Sequence, residues 1–130
     1  MIEVLNKTST ALTAGQNIPL GGVSAKSNNN ATLADNTIQI NQVGYYNVIG
    51  QFVLTATAAG TITVQLYVNG NAVEGAYTSA TVAEGDTVTL DLNKVIKVIP
   101  STVNNRAAVS YQTSTASTLV NSIVNVQHIL

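Results

Sequence analysis

The sequence lacks cysteine and tryptophan, and it has only one histidine and two prolines in 130 residues. Without cysteine the chain has no disulfide framework, no thiolate metal site and no cysteine nucleophile. A single histidine provides little for acid–base or nucleophilic catalysis, which needs a positioned base. We therefore expect a protein that is not an enzyme and that uses no cofactor and no metal.

Charge is also scarce. Charged residues make up 8% of the chain, and five Lys and Arg balance six Asp and Glu to a net charge of −1. This excludes a basic surface for nucleic acid, and no apolar run approaches the length of a membrane span. An ordinary soluble surface carries about 25–35% charged residues, and a nearly neutral one tends to associate. We therefore expect an oligomer.

The main structural signal is the alternation of Val, Ile and Thr with polar residues, which is typical of strands. Residues 61–68 place Ile62, Val64 and Leu66 on one face and polar side chains on the other. Asn69-Gly70 follows, a pair that favours a two-residue hairpin turn. We predict that residues 72–82 return as the partner strand.

Two other segments are apolar on both faces. In residues 45–57, Tyr45, Ile49 and Val53 oppose a second apolar set, and residues 118–130 show the same pattern. A sheet covered on both faces, in a chain with no predicted helix, must meet a second sheet on one side and another body on the other. The simplest such body is a second subunit.

Further strands are predicted at residues 2–5, 18–20, 37–41, 86–92, 95–99 and 106–113, with a bend or bulge at Asn93-Lys94. Eight to ten short antiparallel strands with no internal repeat and no linker are typical of one all-β domain over residues 1–130. The predicted fold is an antiparallel β-sandwich with jelly-roll topology.

The order and spacing of several segments resemble the trimeric jelly rolls of the tumour necrosis factor and complement globular-head superfamily, in their bacterial and phage form. The resemblance covers nearly the whole chain. It depends on Leu12-Thr13-Ala14-Gly15, Ile18-Pro19-Leu20, Ile38-Gln39-Ile40, Gly44-Tyr45-Tyr46-Asn47-Val48, Val64 to Gly70, Val73-Glu74-Gly75-Ala76, Gly85 to Leu90, and the final Val126-Gln127-His128-Ile129-Leu130.

This resemblance implies that the strands beginning at Tyr45, Asp86 and Thr118 form an inner sheet around a threefold axis, and that the hairpin from Thr61 lies in the outer sheet. It implies a homotrimer and a structural role on a bacteriophage particle, as a capsid decoration or head-fibre protein. The predicted trimer-interface residues are Tyr45, Ile49, Val53, Leu119, Ile123 and His128.

Residues 1–10 precede the matched region, so we expect them to form a capsid-docking arm whose contacts are Met1, Ile2, Val4 and Leu5. Deleting residues 1–8 is then expected to leave a folded trimer that no longer binds particles. The first residues contain no basic segment leading into an apolar stretch, so we expect no secretory signal. Synthesis in the host cytoplasm and a final location on the virion surface follow from this interpretation.

Other interpretations stay open. The chain is alternatively a receptor- or glycan-binding module that uses the loops at residues 27–32 and 103–106, or a trimer of a bacterial cell surface or spore coat. His128 is a metal ligand or pH switch near the threefold axis, or a histidine packed or hydrogen-bonded at the chain end. Two further sets are open in the same way: Glu84, Asp86 and Asp91 bind calcium or form a solvated turn, and Tyr45, Tyr67, Tyr77 and Tyr111 form a sugar-stacking platform or are ordinary sheet residues.

Overall fold

The computed structural model describes residues 1–27, 31–34, 36–98 and 107–129. Within these residues eleven strands form, one more than the largest number predicted. They are β1 (Ile2–Asn6), β2 (Thr10–Leu12), β3 (Gly22–Lys26), β4 (Ala31–Ala34), β5 (Thr37–Ile40), β6 (Gly44–Ala56), β7 (Gly60–Val68), β8 (Asn71–Val82), β9 (Thr87–Val98), β10 (Ala107–Thr113) and β11 (Ser117–His128).

The strands pair antiparallel in two sheets. The six-stranded sheet has the order β3-β1-β11-β6-β9, with β2 also paired to β11, and the five-stranded sheet has the order β4-β5-β10-β7-β8. The long strands β6, β9 and β11 share one sheet, and the β7–β8 hairpin lies in the other, as predicted. The antiparallel jelly-roll sandwich is therefore confirmed.

One apolar core fills the space between the sheets. Side chains alternate along each strand, so every second residue points inward. In β6 these are Tyr46, Val48, Phe52 and Leu54, and in β7 they are Ile62, Val64 and Leu66, all of them buried. The contribution of each strand to the core follows the alternation read from the sequence.

The predicted β7–β8 hairpin is confirmed. Val68 pairs with Asn71, so the turn holds only Asn69 and Gly70, and both have positive φ (54° and 80°). These angles suit the mirror-image turn that matches the right-handed twist of the strands. Asn69 also extends the pairing of β7 with β10, because its Oδ1 accepts a hydrogen bond from the Ala108 N–H at 2.9 Å.

Three strands were not predicted, and one predicted strand is absent. Strands β2, β3 and β4 are short, and β3 is largely exposed, so none of the three carries a strong hydrophobic alternation. Residues 18–20 do not form a strand, although Ile18 and Leu20 are completely buried. The carbonyl of Pro19 instead accepts hydrogen bonds from the side chains of Asn6 (3.3 Å) and Ser122 (3.0 Å).

A close contact between the sheets lies at Gly50 in the middle of β6. A Cβ atom added there would lie 2.8 Å from Cε2 of Phe52 and 3.0 Å from the hydroxyl of Tyr111. The rings of Phe52 and Tyr111 are tilted against each other, with centroids 4.7 Å apart. Gly50 thus provides the space in which a tyrosine of the opposite sheet is accommodated.

The Tyr111 hydroxyl is buried and has no hydrogen-bond partner among the described residues. Burial raises the pKa of Tyr111 above its ordinary value of 10.0. Below about pH 10 both the folded and the unfolded chain hold this proton, and above it only the unfolded chain releases it. The free energy of unfolding must therefore fall as the pH rises above 10.

We expect Tyr111→Phe to flatten this alkaline loss by about 1.4 kcal/mol per pH unit, the contribution of one titrating group. At pH 7 the variant should be nearly as stable as the wild type or slightly more stable, because an unsatisfied buried hydroxyl is removed. Urea unfolding between pH 7 and 11 measures both effects. Equally steep pH dependence in the two proteins would contradict the assignment.

Candidate interaction face

The outward side of the six-stranded sheet, here called the open face, carries exposed apolar side chains. It is formed by the side chains of β1, β6, β9 and β11 that point away from the core. Of the eight large hydrophobic side chains that are exposed among the described residues, five belong to this face: Tyr45, Ile49, Val95, Val120 and Ile129. The strands that the sequence marked as apolar on both faces therefore do present a second apolar surface.

The register of the strands shows how this face is built. Along one row Leu5 pairs with Ile123, which pairs with Gln51. Along the next, Asn125 pairs with Ile49, which pairs with Asn93. On the central strands β6 and β11 apolar side chains therefore alternate with neutral amides. Each row ends in a carboxylate, Asp91 beside Gln51 on β9 and Glu3 beside Asn125 on β1. The centre of the open face can thus be covered without burying ions.

The charges on the open face lie toward its margins. Glu3 on β1 accepts a hydrogen bond from the Ser24 hydroxyl at 2.8 Å and a longer one from the Asn125 amide at 3.4 Å. On β9, Lys97 places its Nζ 5.6 Å from the ring centroid of Tyr45. A cation over an aromatic ring is a favourable contact at an exposed site, and it holds Tyr45 against the sheet.

Four of the six predicted interface residues share the open face. Tyr45 and Ile49 are about 40% exposed (39% and 41%), and Val53 and Ile123 are half-buried there. Leu119 was placed wrongly, because it is completely buried in the core. The pairing of β11 with β6 shifts register between Leu119 and Asn121, and this bulge reverses which residues point inward.

His128 also lies away from the other predicted interface residues. It pairs with Tyr46 across β11 and β6, and the two rings stack with centroids 4.7 Å apart and an interplanar angle of 21°. This places the histidine at the end of the core side of the sheet. His128 is exposed in the single chain despite this contact. The stacking on Tyr46 matches the interpretation of His128 as a histidine packed or hydrogen-bonded at the chain end.

The predicted docking arm is instead part of the sheet. Residues 2–6 form β1 between β3 and β11, and Ile2 and Val4 are completely buried in the core. These two side chains are therefore unavailable for docking, whereas Met1 and Leu5 are half-buried. The expectation that residues 1–8 can be deleted without loss of folding is wrong, because the deletion would remove a paired strand and part of the core.

Sequence reasoning missed Val95 and Val120 as members of the open face, and it left Ile129 out of the predicted interface although the alternation placed it on the same face as Ile123. The predicted bend or bulge at Asn93-Lys94 is wrong, because β9 pairs with β6 without a register shift and Val95 lies opposite Asn47 of β6. Reading the alternation of residues 87–98 as one uninterrupted strand would have placed Val95 on the same face as Asn93. Val120 depends on the bulge in β11, for which the sequence carries no local signal.

The other candidate sites are not assembled by the fold. Tyr111 is in the core, Tyr45 is on the open face, and Tyr67 and Tyr77 are on the five-stranded sheet, so the four tyrosines form no common platform. Asp86 accepts a hydrogen bond from the Ala83 N–H at 2.9 Å and closes a turn. Residues 28–30 of the first predicted binding loop and all of the second, residues 103–106, lie outside the described residues.

The described residues contain no group of three or more His, Asp or Glu side chains placed to hold a metal ion. They also contain no helix of the length and hydrophobicity needed to cross a bilayer.

No protein-family model matches this chain, and no curated protein sequence is similar to it. Solved structures are similar. The globular domain of a zebrafish complement 1qA protein superposes with a TM-score of 0.72 at 9% identity, covering 99% of this chain and 96% of that one. The Eiger TNF of S. frugiperda gives 0.69 at 11% identity, covering 99% and 92%. Rabbit GITRL gives 0.52 at 15% identity, covering 77% of each chain. The chain therefore has the jelly-roll fold of the complement 1q globular domain and the TNF ligands.

Proposed function

We propose that this chain is a non-enzymatic structural module that forms a homotrimer through its open face. The observation that carries the proposal is the grouping of five exposed large apolar side chains on one side of one sheet. On the five-stranded sheet, Tyr77 is the exposed large hydrophobic residue. Unequal faces of this kind mark the surface at which a protein associates.

Low charge supports self-association. A surface with only 8% charged residues in the chain and a net charge of −1 repels copies of itself weakly. Burial of apolar area contributes about 25 cal/mol per Å², and obligate interfaces bury about 2,000 Å² or more. The resemblance of the sequence to a superfamily of trimeric jelly rolls supports three copies around a threefold axis rather than two.

The absence of an enzyme activity is part of the same proposal. The histidine is stacked on Tyr46, and Asp86 is engaged in a turn. A nucleophile or general base needs a titratable partner within hydrogen-bond reach. The chain has one histidine and no cysteine, and the described residues hold no group of three or more His, Asp or Glu placed for a metal ion.

The test of the trimer uses the natural lack of cysteine, which allows a single thiol to report on one position. Gln51 lies at the centre of the open face and Ser79 on the outer side of β8, and both are exposed in the single chain. We expect the thiol of Gln51→Cys to react with a maleimide at least about tenfold more slowly than that of Ser79→Cys, because only the former is covered by other subunits. In denaturant the two rates should become equal. Equal rates under native conditions would contradict the proposal.

A more specific proposal is a place on the surface of a bacteriophage particle, as a capsid decoration or head-fibre protein made in the host cytoplasm. The sequence resemblance supports it, as does the ability of a trimer to bind threefold positions of a shell through three contacts at once. Mass spectrometry of purified particles is the test. Detection in multiples of three copies is expected, and absence from the particles would contradict this role.

A further inference from the structure

A groove of about 200 Å³ lies on the outer side of the five-stranded sheet, facing away from the open face. It runs between β7 and β10, and a loop before β3 forms one wall. All its lining residues are uncharged: Gly15, Thr63, Gln65, Tyr67, Gln112, Thr113 and Ser114. Formation of the proposed trimer would leave this groove accessible in every subunit.

The floor of the groove is held in a fixed arrangement by Gln65. Its Nε2 donates to the carbonyls of Val73 (2.8 Å) and Ala76 (3.1 Å) in the bulge of β8, and to that of Leu66 (2.8 Å). Because these carbonyls occupy the amide hydrogens, the Oε1 atom is left as an acceptor with no donor among the described residues. Because this acceptor is already fixed, its side chain loses little conformational entropy when it binds a hydroxyl group.

The wall on β10 is organised in the same way. Gln112 donates from Nε2 to Oδ1 of Asn17 at 3.1 Å, which leaves its Oε1 as a second acceptor. The Ser114 hydroxyl oxygen accepts from the Thr63 N–H at 3.2 Å, which leaves the hydroxyl hydrogen available to a ligand. Tyr67 adds a half-buried ring and a phenolic hydroxyl. The groove therefore combines neutral acceptors, neutral donors and one aromatic surface.

We propose that this groove binds one ring of a neutral saccharide. A sugar hydroxyl both donates and accepts, which matches the paired acceptors and donors, and the C–H face of a sugar ring packs on an aromatic side chain. With no charge in the lining, the groove offers nothing to an anion or a cation. Its volume of about 200 Å³ lies below the roughly 300 Å³ at which sites for drug-sized ligands begin, and it matches one sugar ring.

The test is a titration of the full-length chain with the methyl glycosides of glucose, galactose, mannose and N-acetylglucosamine, followed by amide NMR. We expect at least one of them to shift the side-chain amide signals of Gln112 and Asn17. Gln112→Ala and Tyr67→Thr should each weaken that binding about tenfold, the effect of losing about 1.4 kcal/mol. Tyr67→Thr replaces one residue of high strand propensity with another, so we expect folding to be preserved while the ring is lost.

The matched control is Gln39→Ala on β5 of the same sheet, a half-buried glutamine that does not line the groove. It should change the affinity less than twofold. Binding of array-immobilised glycans ending in the preferred sugar separates a glycan ligand from a free sugar. Shifts confined to other surfaces, shifts unchanged in Gln112→Ala, or no shifts with any of the four glycosides would overturn the proposal. Trimer formation is measured independently, so the two proposals fail separately.

Discussion

Ile49→Asp is expected to convert the trimer into a folded monomer. The side chain lies at the centre of the open face and is 41% exposed in the single chain, so the isolated fold tolerates a carboxylate there. In the trimer the same carboxylate would be buried beside apolar groups and neutral amides, at a cost of several kcal/mol in each subunit. Light scattering should show the mass fall from about three times 13.5 kDa to 13.5 kDa.

Tyr77→Asp is the matched control for this substitution. Tyr77 is more exposed than Ile49, at 59%, but it lies on the five-stranded sheet. The control should keep the trimeric mass, and both variants should keep the far-ultraviolet circular dichroism of a β-sheet protein. A trimeric Ile49→Asp protein would show that the subunits associate through another surface.

Gly50→Ala is expected to destabilise the fold, by about 1–3 kcal/mol or more. Intrinsic preference predicts the opposite sign, because alanine in a strand interior is favoured over glycine by about 0.5–1 kcal/mol. The clash decides the sign: the new Cβ would lie 2.8 Å from a ring carbon of Phe52 and 3.0 Å from the Tyr111 hydroxyl. Urea unfolding at pH 7 measures the loss.

Two companion variants make this result specific. In Gly22→Ala the added Cβ would meet no atom within 4 Å, so stability should stay the same or rise slightly. In the double variant Gly50→Ala/Tyr111→Phe the hydroxyl contact is gone, and part of the loss should be recovered. Equal effects of the alanine at positions 22 and 50 would contradict the packing described for the core.

The sequence predicted the long strands and their sheets because their side chains alternate over many residues. Strands β6, β7 and β8 have the expected limits to within a residue or two, and the Asn69-Gly70 turn is where its chemistry placed it. In β6 the grouping of Tyr45, Ile49 and Val53 on one face needed only the period of two. Such patterns are local, so they can be read without knowing the fold.

The errors have non-local causes. Strand β3 is held by backbone pairing with β1 rather than by a buried face, and its sequence therefore carries no alternation. The misplacement of Leu119 follows from a bulge that depends on pairing with β6. The docking arm was wrong because the pairing of β1 with β11 joins the two ends of the chain. The groove at Gln65 and Gln112 unites residues from separate strands, which a linear reading does not bring together.

The central claim is that the open face is covered by two further copies of the chain. The most direct test is the molar mass of the purified wild-type chain, measured by light scattering over a wide range of concentrations. The account predicts a mass of about three times 13.5 kDa that persists on dilution. A mass of 13.5 kDa at every concentration would contradict it, and the open face would then be a docking surface for a different protein.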